Sequence, residues 1–132
     1  MTSREDLEGF IDRMGAEGVQ AEEAAPGLWV LKNPGKGDFA VGVHYLPPVV
    51  VLRVQVMKVP ADGKRAELYR HLLELNARDV LHGSYGVDGE DVVLSDALEL
   101  ENLDFNEFQA SFDSITMSLT AHLPTFAPFR TA

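Results

Sequence analysis

The chain has 132 residues and no cysteine, so we expect one domain with its own hydrophobic core and neither disulfides nor a thiolate zinc site. It carries 21 acidic against 11 basic residues, a formal net charge of −10, which argues against nucleic acid because phosphate binding relies on Lys and Arg. The polar N-terminus and the lack of any apolar run of ~18 residues argue against a signal peptide and a membrane partner, and we expect a cytoplasmic protein. The acidity itself fits either simple solubility or a module that binds basic or unfolded chains.

The first half of the chain predicts one helix followed by three strands. Four apolar residues that follow a Ser3 cap share one helical face: Leu7, Phe10, Ile11 and Met14. Residues 16–26 are small and acidic, and this composition predicts a loop. Apolar runs and period-two alternation then predict strands at residues 28–31, 39–45 and 50–57.

The second half predicts a helix, a hairpin and another helix over residues 64–123. The first of these helices is apolar over more than half its circumference, which is wider than the ~100° stripe that packing on one sheet requires. We therefore predict a homodimer interface that includes Leu68, Leu72 and Leu75. The turn Asp88-Gly89 predicts the hairpin.

The end of the chain predicts a capped helix followed by a tail. Asp104 and Glu107 form a capping box at its start. Five apolar residues form its core stripe: Phe105, Phe108, Phe112, Ile115 and Leu119. Pro124 ends the helix, and we expect the tail after it, from Phe126 to Ala132, to be loose.

These elements, in the order α-β-β-β-α-β-β-α, predict an α+β fold. We expect an antiparallel five-stranded sheet with the first and third helices on one face. The expected boundaries are one domain over residues 1–123 and a C-terminal tail over residues 124–132.

No group of residues has the spacing that catalysis or metal binding requires. The four histidines, His44, His71, His82 and His122, include no pair at the i, i+4 spacing of a helical metal site. The segment around Ser84 lacks the pattern of a nucleophile elbow, and no phosphate-binding loop precedes a helix. We therefore expect a protein that is not an enzyme, with no catalytic residues and no metal or nucleotide cofactor.

The alternation in the third strand predicts where a partner binds. If Val54 and its period-two neighbours face the helices, then Arg53 and Met57 point to the open side of the sheet. A tryptophan and an aliphatic side chain are typical interface anchors, and we assign Trp29 and Leu31 to the same side. The predicted partner-binding surface is thus Trp29, Leu31, Arg53 and Met57. The alternative is that the helices or a loop cover these side chains.

Three segments of the second half resemble the YbjN-type bacterial proteins, which have the type III secretion chaperone-like (Tir chaperone-like) fold. They are residues 69–76 at the end of the middle helix, the hairpin 86–94 and the capped helix after Leu103. The resemblance implies a small acidic cytoplasmic protein, often a homodimer, without catalytic residues. It also implies that chaperones of this fold clasp an extended segment of a secreted effector, whereas the YbjN branch is sensory or regulatory.

The residues and the resemblance together favour a non-enzymatic, chaperone-like or regulatory domain that binds a protein or peptide partner. Binding would occur by strand addition at a sheet edge or in apolar pockets. Two alternatives remain at this point: a dedicated type III secretion effector chaperone, and a regulator that binds a small ligand between the sheet and the helices.

Overall fold

A computed structural model describes residues 1–61 and 63–130; Asp62 and the last two residues of the predicted tail lie outside the described residues. Within this part of the chain, six strands form one sheet in the order β1-β2-β3-β4-β6-β5, and all neighbours are antiparallel. The strands are β1 (Gln20–Ala25), β2 (Leu28–Lys32), β3 (Val41–Leu46), β4 (Val49–Lys58), β5 (Ser84–Asp88) and β6 (Asp91–Glu99). The α+β class and the antiparallel arrangement are confirmed, but the predicted count of five strands is wrong.

The α-helices are α1 (Arg4–Gly15), α2 (Arg65–Arg78) and α3 (Phe105–His122). Ser3 caps α1 and Asp104 caps α3, and in each case the acidic residue at the third helical position completes a capping box. These caps satisfy main-chain N–H groups that a helix start otherwise leaves without partners. Both predicted capping boxes are therefore confirmed.

The additional strand is β1, in the segment predicted to be a loop. Its main chain pairs with β2 from Gln20 opposite Lys32 to Ala25 opposite Leu28, and all six of its side chains are exposed. An edge strand of this kind is held by main-chain hydrogen bonds and buries no apolar side chain, so it lacks the alternation by which strands are recognised. One further tie comes from Glu23, whose carboxylate accepts a hydrogen bond from the Gly27 amide and pairs with Arg4 of α1.

The hydrophobic core lies between one face of the sheet and the helices. All three α-helices contribute buried side chains to a single cluster with the inward residues of β2, β3, β4, β5 and β6. Phe108, Phe112 and Ile115 of α3 are among the most completely buried. On the opposite face, side chains such as His44, Arg53 and Gln55 are exposed, and no helix among the described residues covers them, so this face forms an open surface.

The segment after α3 is ordered against the core. Leu123–Phe129 forms a 3₁₀ helix, and the Phe126 side chain is fully buried. The His71 ring of α2 stacks on Phe129 and meets Phe126 edge to face, while Lys64 donates a hydrogen bond to the Pro128 carbonyl. The expectation of a loose segment after Pro124 is therefore wrong for the described residues. Its aromatic side chains belong to the same packing as α2 and β5.

Candidate partner-binding surface

The predicted four-residue surface does not form, because the sheet divides its members between two faces. Trp29 is 5% exposed and Leu31 is fully buried, and both belong to the core between sheet and helices. Trp29 pairs across the strands with Val43, itself fully buried, and directly opposite residues share a face. The expected placement of Trp29 and Leu31 on the open side is therefore wrong, and the alternative that the helices cover them is correct.

A β-bulge changes the face of the sheet on which Met57, another residue of the predicted surface, lies. The register of β4 against β6 shifts between Gln55 and Met57, so that Met57 lies opposite the buried Val92. One extra residue in a strand reverses the facing of every residue beyond it. Met57 accordingly packs against the core, and its expected placement on the open side is also wrong.

Arg53 is the member of the predicted set that lies on the open face. Its guanidinium reaches over β6 to Asp88 of β5, with Nη1 2.9 Å from Oδ2. Beside it lies a shallow groove of about 440 Å³, whose floor and walls come from β2, β3 and β4: Leu28, Gly42, His44, Leu46, Val51, Arg53 and Gln55. The open face thus combines aliphatic side chains with one arginine that already has an acidic partner.

The leucines that were predicted to form a dimer interface point into the hydrophobic core of this chain. Leu68, Leu72 and Leu75 are buried in the core cluster. The exposed apolar residues of α2 are instead Tyr69 and Leu73, one helical turn apart. α2 is apolar over a wide part of its circumference, but the larger part of this apolar surface packs against this chain's own sheet.

The two edges of the sheet differ in what they offer to another strand. At the β5 edge, the side-chain amide of Asn76 in α2 accepts from the Tyr85 N–H at 2.7 Å and donates to the Tyr85 carbonyl at 3.0 Å. This amide takes both main-chain groups of Tyr85, as a neighbouring strand would. The β1 edge has no neighbouring strand among the described residues. In the sequence, Asn76 belonged to a stripe of the second helix and to the segment that resembles the family, and no local pattern showed its contact with β5.

A small acidic hollow of about 250 Å³ lies beside β1, against α1. Its floor contains Ile11, Ala21 and Trp29, and its rim is acidic: Glu8, Asp12 and Glu23. Arg4 pairs with Glu8 and Glu23, whereas Asp12 forms no ion pair within 4 Å among the residues that the structure describes. The hollow therefore combines apolar side chains with one carboxylate, that of Asp12, which has no ion-pair partner within 4 Å among the described residues.

A buried polar pair lies where β5, α3 and the C-terminal segment meet. The Tyr85 hydroxyl is 2.7 Å from Nδ1 of His122, and Nε2 of His122 is 3.6 Å from an Asp79 oxygen. Burial raises the pKa of the Tyr85 phenol, and burial also lowers the pKa of His122. Both groups are therefore held neutral at pH 7, and the hydroxyl can donate to the ring nitrogen.

Over residues 1–61 and 63–130, no group of three His, Cys, Asp or Glu side chains is placed to hold a metal ion. In the same part of the chain, no helix combines the length and the apolar character that crossing a bilayer requires.

Comparisons with known proteins identify a family and similar structures for this architecture. The family model CesT_Tir_1 matches residues 2–131. A chain of the heterodimeric ExoU–SpcU complex, from the type III secretion system of Pseudomonas aeruginosa, superimposes with a TM-score of 0.71 at 14% identity, covering 92% of this chain and 98% of that chain. YbjN of E. coli gives a TM-score of 0.69 at 15% identity, with 93% of each chain covered. A search of curated proteins finds no match. The chain belongs to the CesT_Tir_1 family and has the type III secretion chaperone-like fold that it shares with YbjN.

Proposed function

We propose that this protein binds an extended, basic segment of another protein, which adds to the sheet as a strand beside β1. The support is the family, whose fold is shared by a chain of the heterodimeric ExoU–SpcU complex. We place this binding in the cytoplasm, in a chaperone-like or regulatory role without catalysis.

The observation that carries the proposal is the difference between the two sheet edges. An edge strand presents a row of main-chain donors and acceptors that another chain can pair with. Asn76 occupies those of Tyr85 on β5, whereas β1 has no neighbouring strand among the described residues. Strand addition is therefore expected at β1.

The charge around β1 favours a basic segment. Glu22 lies on β1 and forms no ion pair within 4 Å among the described residues, and Asp12 lines the adjoining hollow. A Lys or Arg side chain can lay its apolar stem along apolar surface while its charged head stays near carboxylates. An added strand that places one Lys or Arg at the hollow would bring the stem of this side chain to the apolar residues and its charged head to the carboxylate.

The test uses a synthetic peptide of alternating Val and Lys, and a copy N-methylated on every residue. We expect the first peptide to bind and the second to fail, since methylation removes the main-chain donors that strand pairing needs. Glu22→Lys should weaken binding of the first peptide by about tenfold, which corresponds to roughly 1.4 kcal/mol. The matched control is Glu90→Lys, which makes the same charge change at an exposed hairpin position far from β1 in the sheet order.

Fluorescence anisotropy measures these affinities. Equal binding of the methylated and unmethylated peptides would contradict strand addition. Equal effects of Glu22→Lys and Glu90→Lys would show that only the overall charge matters.

We also propose that Arg53 contacts partner side chains on the open face of the sheet. It borders the groove of about 440 Å³, and its partner Asp88 lies at the surface. We expect that Arg53→Ala weakens binding of a natural partner without a large change in stability.

We also propose that the protein forms a homodimer through the exposed side of α2. Tyr69 and Leu73 lie there at i, i+4, and Leu73 is 68% exposed. Light scattering at micromolar concentration should give about twice the chain mass for the wild type, and a lower mass for Leu73→Glu. A monomeric wild type would refute the dimer and leave the strand-addition test unaffected.

A further inference from the structure

A second groove lies on the opposite side of the helical layer from the hollow at β1, between the end of α2 and the outer side of α3. It has a volume of about 730 Å³. Its walls are Leu75, Arg78 and the following residues 79–82 on one side, and α3 residues from Ala110 to Ala121 on the other.

Two large apolar side chains stand exposed at this groove. Leu81 is 87% exposed and Met117 is 71% exposed, the highest values among the large hydrophobic residues of the described chain. Scattered exposed leucines are common, but two that border one groove form an apolar contact site. A flexible methionine suits surfaces that adapt to a partner.

The outer side of α3 is otherwise built from small residues. Those that line the groove follow each other at three- and four-residue steps: Ala110, Ser114, Ser118 and Ala121. Residues at such steps lie on one side of a helix, and small ones let a second helix pack close to it. From the first to the last, this side extends about 16 Å, or three helical turns.

The charge of the groove is negative. Asp79 lies on one wall and Asp113 on the other. In the described chain, Asp113 forms no ion pair within 4 Å, and the nearest partner of Asp79 is His122, whose neutral form is favoured by burial. Arg78, also at the groove, is 3.8 Å from Glu74, whose carboxylate also pairs with Arg70 at 2.8 Å, so the groove carries this cation beside its two carboxylates. Burial raises the pKa of the Asp113 carboxyl, and the charge of Lys36 opposes this shift.

We propose that this groove binds an amphipathic helix of a partner protein, about three turns long, that carries Lys or Arg beside its apolar stripe. The apolar stripe would contact Leu81 and Met117, and the basic residues would meet Asp79 and Asp113. The inference rests on the protein-binding function proposed above and adds a second contact, to a helical part of a partner.

The probe is a synthetic peptide of Leu, Ala and Lys, 14 residues long and held helical by a side-chain staple. Fluorescence anisotropy with the full chain should show saturable binding that Met117→Lys weakens by about tenfold. Val87→Lys is the matched control, because it adds the same charge at an exposed apolar residue that does not line the groove. That variant should change the affinity by less than about threefold.

A second pair of variants tests the charge. Asp113→Asn should weaken binding of the helical peptide by about threefold and reduce the salt dependence of that binding. Asp12→Asn removes the same charge at the β1 hollow and should leave this peptide unaffected. A version of the probe with Glu in place of Lys should not bind. Thermal melts confirm that each variant is folded.

Three outcomes would overturn the inference: no binding of the Lys probe, equal effects of Met117→Lys and Val87→Lys, or dissociation of a wild-type dimer by Met117→Lys. The last would mean that a second copy of the chain occupies the groove. If the helical probe fails while the Val/Lys peptide still responds to Glu22→Lys, the groove is wrong and the proposed function stands. Failure of both probes would reject the proposed function as well.

Discussion

The indole of Trp29 illustrates how a single residue is placed by its neighbours. It packs in the core beneath α1, with the Arg4 guanidinium 5.9 Å from its ring centre. Its edge borders the acidic hollow beside β1, so the residue supports that hollow without being a surface anchor. A change at Trp29 should therefore affect stability first.

We expect Trp29→Ala to lower the free energy of unfolding by about 3–5 kcal/mol, because it removes a large buried side chain and leaves a cavity. Urea denaturation measures the change. Leu81→Ala, at a mostly exposed residue, should stay within about 0.5 kcal/mol of the wild type. If the two variants unfolded at the same urea concentration, the core position of Trp29 would be refuted.

Asn76 is the residue that distinguishes the two sheet edges. Its amide holds both main-chain groups of Tyr85, and Tyr85 in turn contacts His122 and Phe126. The side chain thus links α2 to β5 while it satisfies the two outward main-chain groups of Tyr85.

Asn76→Ala should destabilise the protein by about 1–3 kcal/mol, since two main-chain groups lose their partner. Asn106→Ala makes the same substitution at an exposed position of α3 and should cost much less. Hydrogen exchange of the Tyr85 amide should also become faster in Asn76→Ala and remain unchanged in Asn106→Ala. An unchanged Tyr85 exchange rate in Asn76→Ala would contradict the assigned role.

At the scale of elements, the C-terminal 3₁₀ segment acts as part of the core. Phe126 lies between the rings of His71 and Tyr85, so this segment joins α2 to β5. Thr125 connects the same region, because its hydroxyl contacts His71 and donates to the His122 carbonyl.

Phe126→Ala should therefore lower the free energy of unfolding by about 3–5 kcal/mol, as for a core phenylalanine. Met117→Ala, at an exposed residue of α3, is the comparison and should have little effect. Thermal denaturation of the two variants decides the matter, since a segment detached from the core would give equal melting temperatures.

For the whole molecule, the buried His122 makes stability depend on pH. Burial lowers its pKa, the nearby His71 acts in the same direction, and Asp79 opposes both. A histidine whose folded pKa is lowered binds protons more readily when unfolded, so stability falls with falling pH. The loss begins near the unfolded value of about 6.5 and ends once the folded pKa is passed.

We expect the wild type to lose stability between about pH 7 and pH 5. His122→Gln, which retains an acceptor for the Tyr85 hydroxyl, should lose less over that interval. His44→Gln, at an exposed histidine of the open face, should follow the wild type. Urea denaturation midpoints at about pH 7 and about pH 5 test this prediction. An equal change in midpoint between the two pH values for all three proteins would contradict it.

Local patterns were sufficient for much of the fold. The spacing of Leu7 and Met14 and the capping boxes at Ser3 and Asp104 predicted α1 and α3 at close to their observed positions. The β5–β6 hairpin was also predicted, but its turn is Gly89-Glu90, one residue later than Asp88-Gly89, because Asp88 pairs with Asp91. Each of these signals arises within a few residues of the chain. The resemblance of the second half to the YbjN-type proteins was confirmed by the family match and the shared fold.

The placement of the candidate surfaces depended on contacts between distant residues. The bulge that turns Met57 inward exists only in the register of β4 against β6, and the facing of Trp29 follows from its pairing with β3. β1 is held by main-chain bonds to β2, and Asn76 reaches Tyr85 from a neighbouring helix. Side-chain chemistry along the chain could predict helices and turns, whereas strand register and edge coverage are set by pairing partners that only the folded chain brings together.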